Sequence, residues 1–260
     1  MTEDLKRFYA EFAPLYHLIY PDWDKSIERQ AAMLDSIVRE RWGDSGSCVL
    51  DVSCGIGTQS LGLAKLGYAV TASDLSREAV ERAKVEAEKR DLSISFSVAD
   101  MREAFRHHAR QFDVVISCDN AIPHLLTDDD ILTAFRQFYA CTRAGGGCII
   151  SVRDYEKEDL SRQKIEPYGI RDENGVHYFL FQVWNPGERP SLYDVAVYVV
   201  EDRGKSDCRT HVFRSQYYGV GISRLVELMG EAGFDNVTRL DDRFFQPVIV
   251  GTRKSQAALR

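Results

Sequence analysis

The chain has 260 residues, of which 44% are hydrophobic and 28% are charged, and its formal net charge is −7. This length is enough for one large domain with a buried core, or for a domain with a modest insertion. The acidic balance and the lack of a basic run in the sequence argue against a nucleic-acid partner. The six cysteines form no C-x-x-C pair, so reduced, buried thiols are expected.

The N-terminal sequence does not resemble a targeting segment. Its first residues, MTEDLK, contain acids where a signal peptide has a basic region. No apolar stretch of the sequence is long enough to span a bilayer. We therefore expect a cytoplasmic protein that has no membrane partner.

Two helices are predicted at the start of the chain, over residues 4–19 and 25–41, with Pro21 between them. The first is dense in aromatic residues. Such density usually indicates helix packing, but it would also suit a lid whose rings cover a cationic ligand. Tyr16 and Trp23 are the candidates for that lid.

Strands and helices then alternate as far as residue 152. The predicted strands are 48–52, 68–73, 93–98, 112–117 and 147–152, and the predicted helices are 58–66, 77–90 and 129–143. This alternation predicts right-handed crossovers and a mainly parallel sheet with helices on both faces. The glycines at 145–147 are expected where the last of these helices stops and turns into a strand.

After residue 153 the pattern changes to an antiparallel meander with strands 176–184, 192–200 and 208–216. Helix 221–232 and strands 236–240 and 245–252 return the chain to the sheet. The predicted units are an N-terminal helical lid (1–45), an α/β core (46–153 and 221–253) and an antiparallel insertion (154–220). Because the insertion follows the carboxyl ends of the parallel strands, where α/β folds bind ligands, we expect it to cap the substrate.

The most informative motif is the segment VLDVSCGIGT at residues 49–58. A buried strand ends at Asp51, and Gly55 and Gly57 let the backbone bend and a ligand approach closely before the next helix begins. The following predicted strand ends at Asp74, where a carboxylate can bind ribose hydroxyls. The motif therefore predicts a nucleoside site, with a purely structural turn as the alternative.

The same region favours S-adenosylmethionine (SAM) over a dinucleotide. Ser60 stands at the third glycine position of the dinucleotide fingerprint, and the charge of Asp51 would oppose a pyrophosphate but favour a cation. SAM has ribose and adenine but no phosphate, and it carries a sulfonium and an ammonium. Asp100 could accept a hydrogen bond from the adenine amino group while Met101 packs on the ring. Alternatively, Asp100 only caps the next turn.

Arg29, one turn into the second predicted helix, could reach the carboxylate of this cofactor. The full set of expected cofactor contacts is Tyr16, Trp23, Arg29, Asp51, Ser53, Gly55, Gly57, Asp74, Leu75, Asp100, Met101 and Asp119. No metal ligands are predicted.

Polar residues on the substrate side follow the strand predicted over 112–117. Asp119, Asn120 and His124 come at the same end of the sheet as the glycine motif. An Asn carbonyl can orient an attacking amine, and methyl transfer otherwise needs alignment in a dry pocket. His124 would either act there or hydrogen-bond the loop backbone. Arg153 could hold a substrate carboxylate through two parallel hydrogen bonds, or be an ordinary surface residue.

With these residues the chain resembles the class I SAM-dependent methyltransferases over nearly its whole length. The segment DVSCGIGT is similar to the first motif of that class, Asp74 to its ribose acid, and Asp100 with Met101 to its adenine pair. Within the class, three segments are similar to glycine N-methyltransferase and the glycine/sarcosine enzymes. These are DNAIPHL at 119–125, RDY at 153–155 and SQYY at 215–218.

The matching segments of those enzymes read GNSFAHL, RNY and SYY. The Arg of RNY binds the amino-acid carboxylate, and a tyrosine of SYY borders the substrate. The present chain departs from the pattern at three positions. Asp119 replaces Gly, Asp154 replaces Asn, and Gly219 replaces Pro.

The resemblance implies a Rossmann-like, doubly wound, seven-stranded sheet with a helical lid and an inserted antiparallel meander. It implies SAM-dependent methyl transfer to a small molecule, through the amine of an amino acid such as glycine or sarcosine. The expected catalytic and substrate-side residues are Asn120, His124, Arg153, Tyr155 and Tyr218. The alternatives are a methyltransferase acting on RNA or protein and a non-catalytic SAM-binding regulator. A homo-oligomer is left open.

Overall fold

The computed structural model describes residues 3–43 and 48–255. Its strands are β1 (Cys48–Asp51), β2 (Ala69–Asp74), β3 (Ser95–Val98), β4 (Phe112–Ser117), β5 (Thr142–Ser151), β6 (Lys164–Glu173), β7 (Val176–Pro186), β8 (Leu192–Asp202), β9 (Cys208–Tyr218), β10 (Asp235–Leu240) and β11 (Val248–Thr252). Within this part of the chain, seven strands form a central sheet in the order β10-β11-β5-β4-β1-β2-β3. Strands β1 to β5 are parallel to one another, and β11 runs antiparallel to both of its neighbours, β5 and β10.

Helices cover both faces of this sheet. They are α1 (Glu3–Phe12), α2 (Trp23–Trp42), α3 (Thr58–Lys65), α4 (Arg77–Glu88), α5 (Ala104–His108), α6 (Asp128–Cys141) and α7 (Ile222–Glu231). The side chains of β4 alternate between two cores, because successive strand residues point to opposite faces. Val115 belongs to the core that contains Phe135 of α6. Val114 belongs to the core that contains Leu34 of α2. The predicted doubly wound architecture is confirmed.

The helix predicted over residues 4–19 is wrong in its length. Helix α1 ends at Phe12, and a separate 3₁₀ turn covers Tyr16–Ile19. Pro14 accounts for the break, because proline lacks an N–H and disfavours the α-conformation of the residue before it. Tyr16 and Tyr20 therefore lie on or beside a short turn instead of on one long helix.

The insertion contains one more strand than predicted. Strands β6 to β9 form a separate four-stranded antiparallel sheet with β6 at its edge. Pro167 and Gly169 lie within β6, where the pairing with β7 shifts register. Proline is tolerated on an edge strand because its missing N–H can face away from the partner strand. These two residues, together with many charges, hide the strand in the sequence.

Strand β5 also begins earlier than predicted. Helix α6 ends at Cys141 and β5 starts at Thr142, so the glycines at 145–147 lie inside the strand. A Cβ on Gly147 would lie 1.8 Å from Cζ2 of Trp42. This glycine therefore serves close packing against α2 instead of ending a helix.

The insertion leaves the central sheet after the carboxyl end of β5 and returns through α7. The ring of Phe213 in β9 stacks on Phe12 of α1, with centroids 4.7 Å apart. The predicted boundary between residues 45 and 46 lies outside the described residues. Among the residues that are described, no helix is long and apolar enough to cross a bilayer.

Gly62 sets how closely α3 approaches α2. A Cβ on this residue would lie 2.6 Å from both the Cβ of Ala31 and the backbone oxygen of Ile27. We expect Gly62→Ala to lower the free energy of unfolding by about 1–3 kcal/mol, because backbone cannot yield as a flexible side chain does. The matched control is Gly230→Ala in α7, where a Cβ meets open space; it should stabilise by about 0.5–1 kcal/mol. Urea unfolding measures both, and equal shifts would contradict the packing argument.

Candidate active site

Two cavities meet at the carboxyl ends of the parallel strands. The first, the glycine-turn cavity, lies over the loop after β1 and the ends of β2 and β4. Among the predicted cofactor contacts, its walls contain Tyr16, Ser53, Gly55, Asp74, Leu75, Met101 and Asp119. The glycine turn and the strand-end acid are therefore brought together, as the spacing of the motif suggests.

Asp74 joins the two sides of this cavity. Its Oδ2 accepts a hydrogen bond from the Gly55 N–H at 2.8 Å, and its Oδ1 accepts from the Ser76 N–H at 2.9 Å. Burial raises the pKa of the carboxyl, while these backbone bonds act to lower it. Each oxygen has a second lone pair. The carboxylate can thus hold the turn and still accept from two hydroxyls of a ligand.

Asp51 lies beneath the turn instead of facing the cavity. It is buried, and it accepts from the Ser53 N–H at 3.2 Å and from the Ser60 hydroxyl at 2.7 Å. Burial raises the pKa of Asp51 to about 7. Both carboxylate oxygens hold the loop together, and Asp51 is not among the residues that line the glycine-turn cavity, so its contact with the ligand stays a prediction.

Gly57 and Trp23 also stand behind the wall of the glycine-turn cavity. Gly57 is the N-cap of α3 with φ of +97°, a conformation that favours glycine. The Trp23 indole N–H donates to the Thr58 hydroxyl at 2.9 Å. Both residues position the start of α3, and neither is among the residues that line the cavity.

Asp100 caps the turn that follows it, which is one of the two roles that the sequence left open. Its Oδ1 accepts from the Arg102 N–H at 2.9 Å, and its Oδ2 accepts from the Arg102 guanidinium at 2.8 Å. Its neighbours Ala99 and Met101 line the glycine-turn cavity, whereas Asp100 lines an adjacent surface groove. The carboxylate is engaged by Arg102, and a contact between Asp100 and adenine stays a prediction.

The second cavity, the aromatic cavity, has a volume of about 470 Å³. Its aromatic walls come from the N-terminal segment, the insertion and the loop between β10 and β11, namely Phe8, Tyr9, Phe12, Tyr16, Tyr20, Tyr168, Tyr217 and Phe245. Its polar lining includes Asp119, Asn120 and Arg153. Arg29 is exposed and lines this cavity instead of the glycine-turn cavity, which corrects its expected place beside the cofactor.

The two cavities share four wall residues, Tyr9, Tyr16, Tyr20 and Asp119. Burial raises the pKa of each of these three phenols, so they are neutral and can donate hydrogen bonds. The two cavities therefore adjoin at these four residues, which form their junction.

Asn120 and Tyr155 form a support behind Arg153. The Asn120 Oδ1 accepts from the Arg153 backbone N–H at 3.0 Å, and its Nδ2 donates to the Tyr155 hydroxyl at 2.8 Å. Tyr155 is buried, and its hydroxyl lies 2.6 Å from that of Tyr193. Tyr155 does not line the aromatic cavity, which corrects its expected contact with the substrate. It orients Asn120 instead.

The Arg153 side chain lies on the wall of the aromatic cavity. Its guanidinium carbon is 4.4 Å from the ring centroid of Trp184, a cation–π distance. Its ion pair with Glu158 is long, at 3.9 Å between Nη1 and Oε1. The guanidinium has five N–H donors in a planar fork, so much of its donor capacity is available to an anion in the cavity.

His124 is a neutral, buried imidazole at the edge of the glycine-turn cavity. Its Nε2 lies 2.6 Å from the Tyr9 hydroxyl, and its ring centroid lies 4.3 Å from that of Tyr217. Burial lowers the pKa of His124 to about 3. The ring is therefore uncharged at neutral pH and holds Tyr9 at the junction of the cavities.

In the SQYY segment, the tyrosine that lines the aromatic cavity is not the one that the sequence predicts. Tyr217 lines the aromatic cavity, whereas the Tyr218 hydroxyl donates to Asp128 Oδ1 at 2.8 Å on the other side of β9. Adjacent strand residues face opposite sides, so a shift of one position exchanges the two roles.

Sequence reasoning missed several wall residues. Tyr9 and Tyr20 belong to the aromatic N-terminal run, but density alone does not distinguish core rings from wall rings. Tyr168 and its hydrogen-bond partner Gln182 also line the aromatic cavity. Tyr168 lies on β6, the unpredicted strand, and no sequence signal marked it.

Comparison with known proteins agrees with this arrangement. A family model described as a methyltransferase domain matches residues 49–146. A glycine/sarcosine N-methyltransferase from Parasynechococcus marenigrum (strain WH8102) is 31% identical over 136 residues, covering 52% of this chain and 47% of that relative. The match thus spans about half the length of this curated relative.

Two solved structures have the same fold across most of the chain. DesVI from Streptomyces venezuelae aligns with a TM-score of 0.79 at 19% identity, covering 92% of this chain and 97% of that one. CalS10, an amino pentose methyltransferase from Micromonospora echinaspora, aligns with a TM-score of 0.78 at 16% identity, covering 94% and 97%. The predicted fold class is confirmed.

The three comparisons agree: residues 49–146 match a methyltransferase domain, part of the chain is similar to a glycine/sarcosine N-methyltransferase, and the chain has the fold of the solved structures named above. The predicted resemblance to methyltransferases is borne out, and one of the similar folds, CalS10, is described with SAM bound. The glycine-turn cavity has the groups that SAM requires. Asp74 can accept from ribose hydroxyls, and Leu75 and Met101 offer apolar walls for a base.

Proposed function

We propose that the protein transfers the methyl group of SAM to the amine nitrogen of a small acceptor that carries a carboxylate, such as glycine or sarcosine. The observation that carries this proposal is the junction of the two cavities. The cavity that contains Asp74 adjoins, at Asp119, a cavity that is lined by the guanidinium of Arg153.

SAM supplies an electrophilic methyl group when it is bound. The protein's own contribution is alignment, because nucleophile, methyl carbon and sulfur must lie in line for direct displacement. Arg153 would hold the acceptor carboxylate through two parallel hydrogen bonds and so direct the amine toward the junction. The aromatic walls exclude water, which favours the uncharged nucleophile.

A second acceptor class, an amino sugar, has support from the size of the aromatic cavity. A volume of about 470 Å³ exceeds what glycine fills, and one of the similar folds is described as an amino pentose methyltransferase. RNA or protein as acceptor is disfavoured by the formal net charge of −7. A non-catalytic regulator is disfavoured by the polar, accessible acceptor side.

An acceptor panel separates these functions. Purified protein would be incubated with labelled SAM and glycine, sarcosine, an amino sugar, total RNA or a peptide pool, with S-adenosylhomocysteine (SAH) as the measured product. We expect turnover with glycine or sarcosine and N-methylation by mass spectrometry. Turnover only with the amino sugar would replace the acceptor class. SAM binding without turnover of any acceptor would overturn the proposal.

A further inference from the structure

Asp119 holds an unusual backbone conformation at the junction of the cavities. Its φ is +59° and that of Asn120 is +64°, a region that favours glycine and strains other residues. The Asp119 N–H donates to the Ser151 hydroxyl at 2.8 Å, and the Asn120 N–H donates to the Ser151 carbonyl at 3.1 Å. The chain thus holds a carboxylate, in a strained backbone conformation, where the related segment GNSFAHL has glycine.

This carboxylate has no cation of its own. The Tyr20 hydroxyl donates to Oδ2 of Asp119 at 2.6 Å. Across the residues that the structure describes, no Lys, Arg or His forms an ion pair with Asp119, and no donor lies within hydrogen-bond distance of its Oδ1. A poorly hydrated carboxylate without a counter-ion is costly. A cation that enters with the acceptor would offset that cost.

The titratable groups that interact electrostatically with Asp119 are neutral apart from Arg153. The neutral groups come from the N-terminal segment, the insertion and the residue before Asp119, and they are Tyr9, Tyr16, Tyr20, Tyr168, Tyr217 and Cys118. Burial raises the pKa of every one of them. The ionisable residues Asp74, Arg29 and Asp154 also line the two cavities. Arg153 acts on Asp119 only beyond ion-pair distance and lies on the acceptor side.

We infer that Asp119 binds the ammonium group of the acceptor and takes the proton that this nitrogen loses before it attacks the methyl group. This inference rests on the proposed function. It gives the acceptor two charged contacts, with its carboxylate on Arg153 and its ammonium on Asp119. The acceptor is then a zwitterion, held with its nitrogen at the junction of the cavities.

The step balances as follows. An N–H bond of the ammonium breaks and the proton passes to Oδ1 of Asp119, which leaves a lone pair on nitrogen. A bond forms between that nitrogen and the methyl carbon as the carbon–sulfur bond breaks, with its electron pair remaining on sulfur. The product is a methylated ammonium with SAH, and Asp119 later releases its proton to solvent.

A binding experiment tests the ammonium contact without catalysis. Calorimetry on the SAH complex would compare glycine with glycolate, which has a hydroxyl in place of the ammonium. We expect wild-type protein to bind glycine at least tenfold more tightly than glycolate, and Asp119→Asn to remove most of that preference. The matched control is Asp172→Asn, an acid whose side chain is 72% exposed on β6, which should keep the preference.

The pH dependence of kcat/KM tests the proton transfer. Below pH 8, where the free amino acid is mainly an ammonium, wild-type kcat/KM should be nearly flat until the carboxyl of Asp119 becomes protonated. Burial raises the pKa of Asp119, so that fall begins above the range of an exposed aspartate. In Asp119→Asn, kcat/KM should drop by about 100-fold or more at pH 7 and rise about tenfold per pH unit, because only neutral amine reacts.

The outcomes are distinguishable. If wild-type protein binds and methylates no amino acid, both the proposed function and the inference fail. If it methylates glycine or sarcosine but Asp119→Asn keeps the wild-type glycine preference, or a parallel pH profile, only the inference fails. A circular dichroism spectrum and a thermal melt that match those of wild type show that the variant is folded. Tyr20→Phe, which removes the hydroxyl that orients Asp119, should show a smaller loss of the same kind.

Discussion

Replacing Arg153 with alanine is expected to lower kcat/KM for glycine or sarcosine at least tenfold, and Arg153→Lys should not restore it. Hydrogen bonds to a charged group contribute about 1.5–3 kcal/mol, and the clamp makes two of them. Lysine carries the same charge, but an ammonium cannot reproduce the planar two-point fork. Methyl transfer measured over a range of acceptor concentrations gives the ratio.

The control for Arg153 is an acceptor without a carboxylate. Glycinamide keeps the amine of glycine but loses the anion, so Arg153→Ala should change its kcat/KM much less than that of glycine. Affinity for SAH should stay near wild type, since Arg153 lines the aromatic cavity and not the glycine-turn cavity. An equal loss of kcat/KM with both acceptors would show that Arg153 maintains the fold of the site and does not bind the carboxylate.

Replacing Asp74 with alanine is expected to weaken SAM binding more than tenfold, about 1.4 kcal/mol or more. The change removes charge-assisted hydrogen bonds to the ribose. It also leaves the Gly55 and Ser76 N–H groups without the acceptor that they now have. Calorimetric titration with SAM measures the affinity, and a thermal melt shows how far the turn itself is loosened.

The control for Asp74 is Asp172→Ala, which removes an acid that is 72% exposed on β6. That variant should bind SAM as the wild type does. NAD should bind to neither protein, because the acid-rich turn disfavours a pyrophosphate. Unchanged affinity in Asp74→Ala would exclude Asp74 from the cofactor site and contradict the interpretation of the glycine turn.

Much of the fold could be predicted from local sequence. The glycines at 55 and 57, the strand before them and the acid at 74 form one continuous motif, and its geometry depends mainly on backbone conformation and chain order. The β6 edge strand escaped prediction because its pattern is interrupted by Pro167 and Gly169. The break after α1 was missed although Pro14 signals it locally.

The roles of individual side chains were harder to predict from the sequence than the fold was. Asp51, Asp74 and Asp100 all stand at strand ends, yet only Asp74 faces the glycine-turn cavity. The other two carboxylates are engaged by Ser60 and Arg102, respectively. Which acid keeps lone pairs for a ligand depends on these competing partners, and sequence spacing does not reveal them.

By itself, the sequence determined the class of this protein: a doubly wound sheet, a glycine turn and a strand-end acid suited to a nucleoside without phosphate. Only the tertiary structure decided which residues meet across the site. It placed Tyr217 rather than Tyr218 in the aromatic cavity, and it set Asp119 between the two cavities. The physical reason is that a backbone motif is formed by consecutive residues, whereas a cavity wall depends on strand register and on contacts between distant segments.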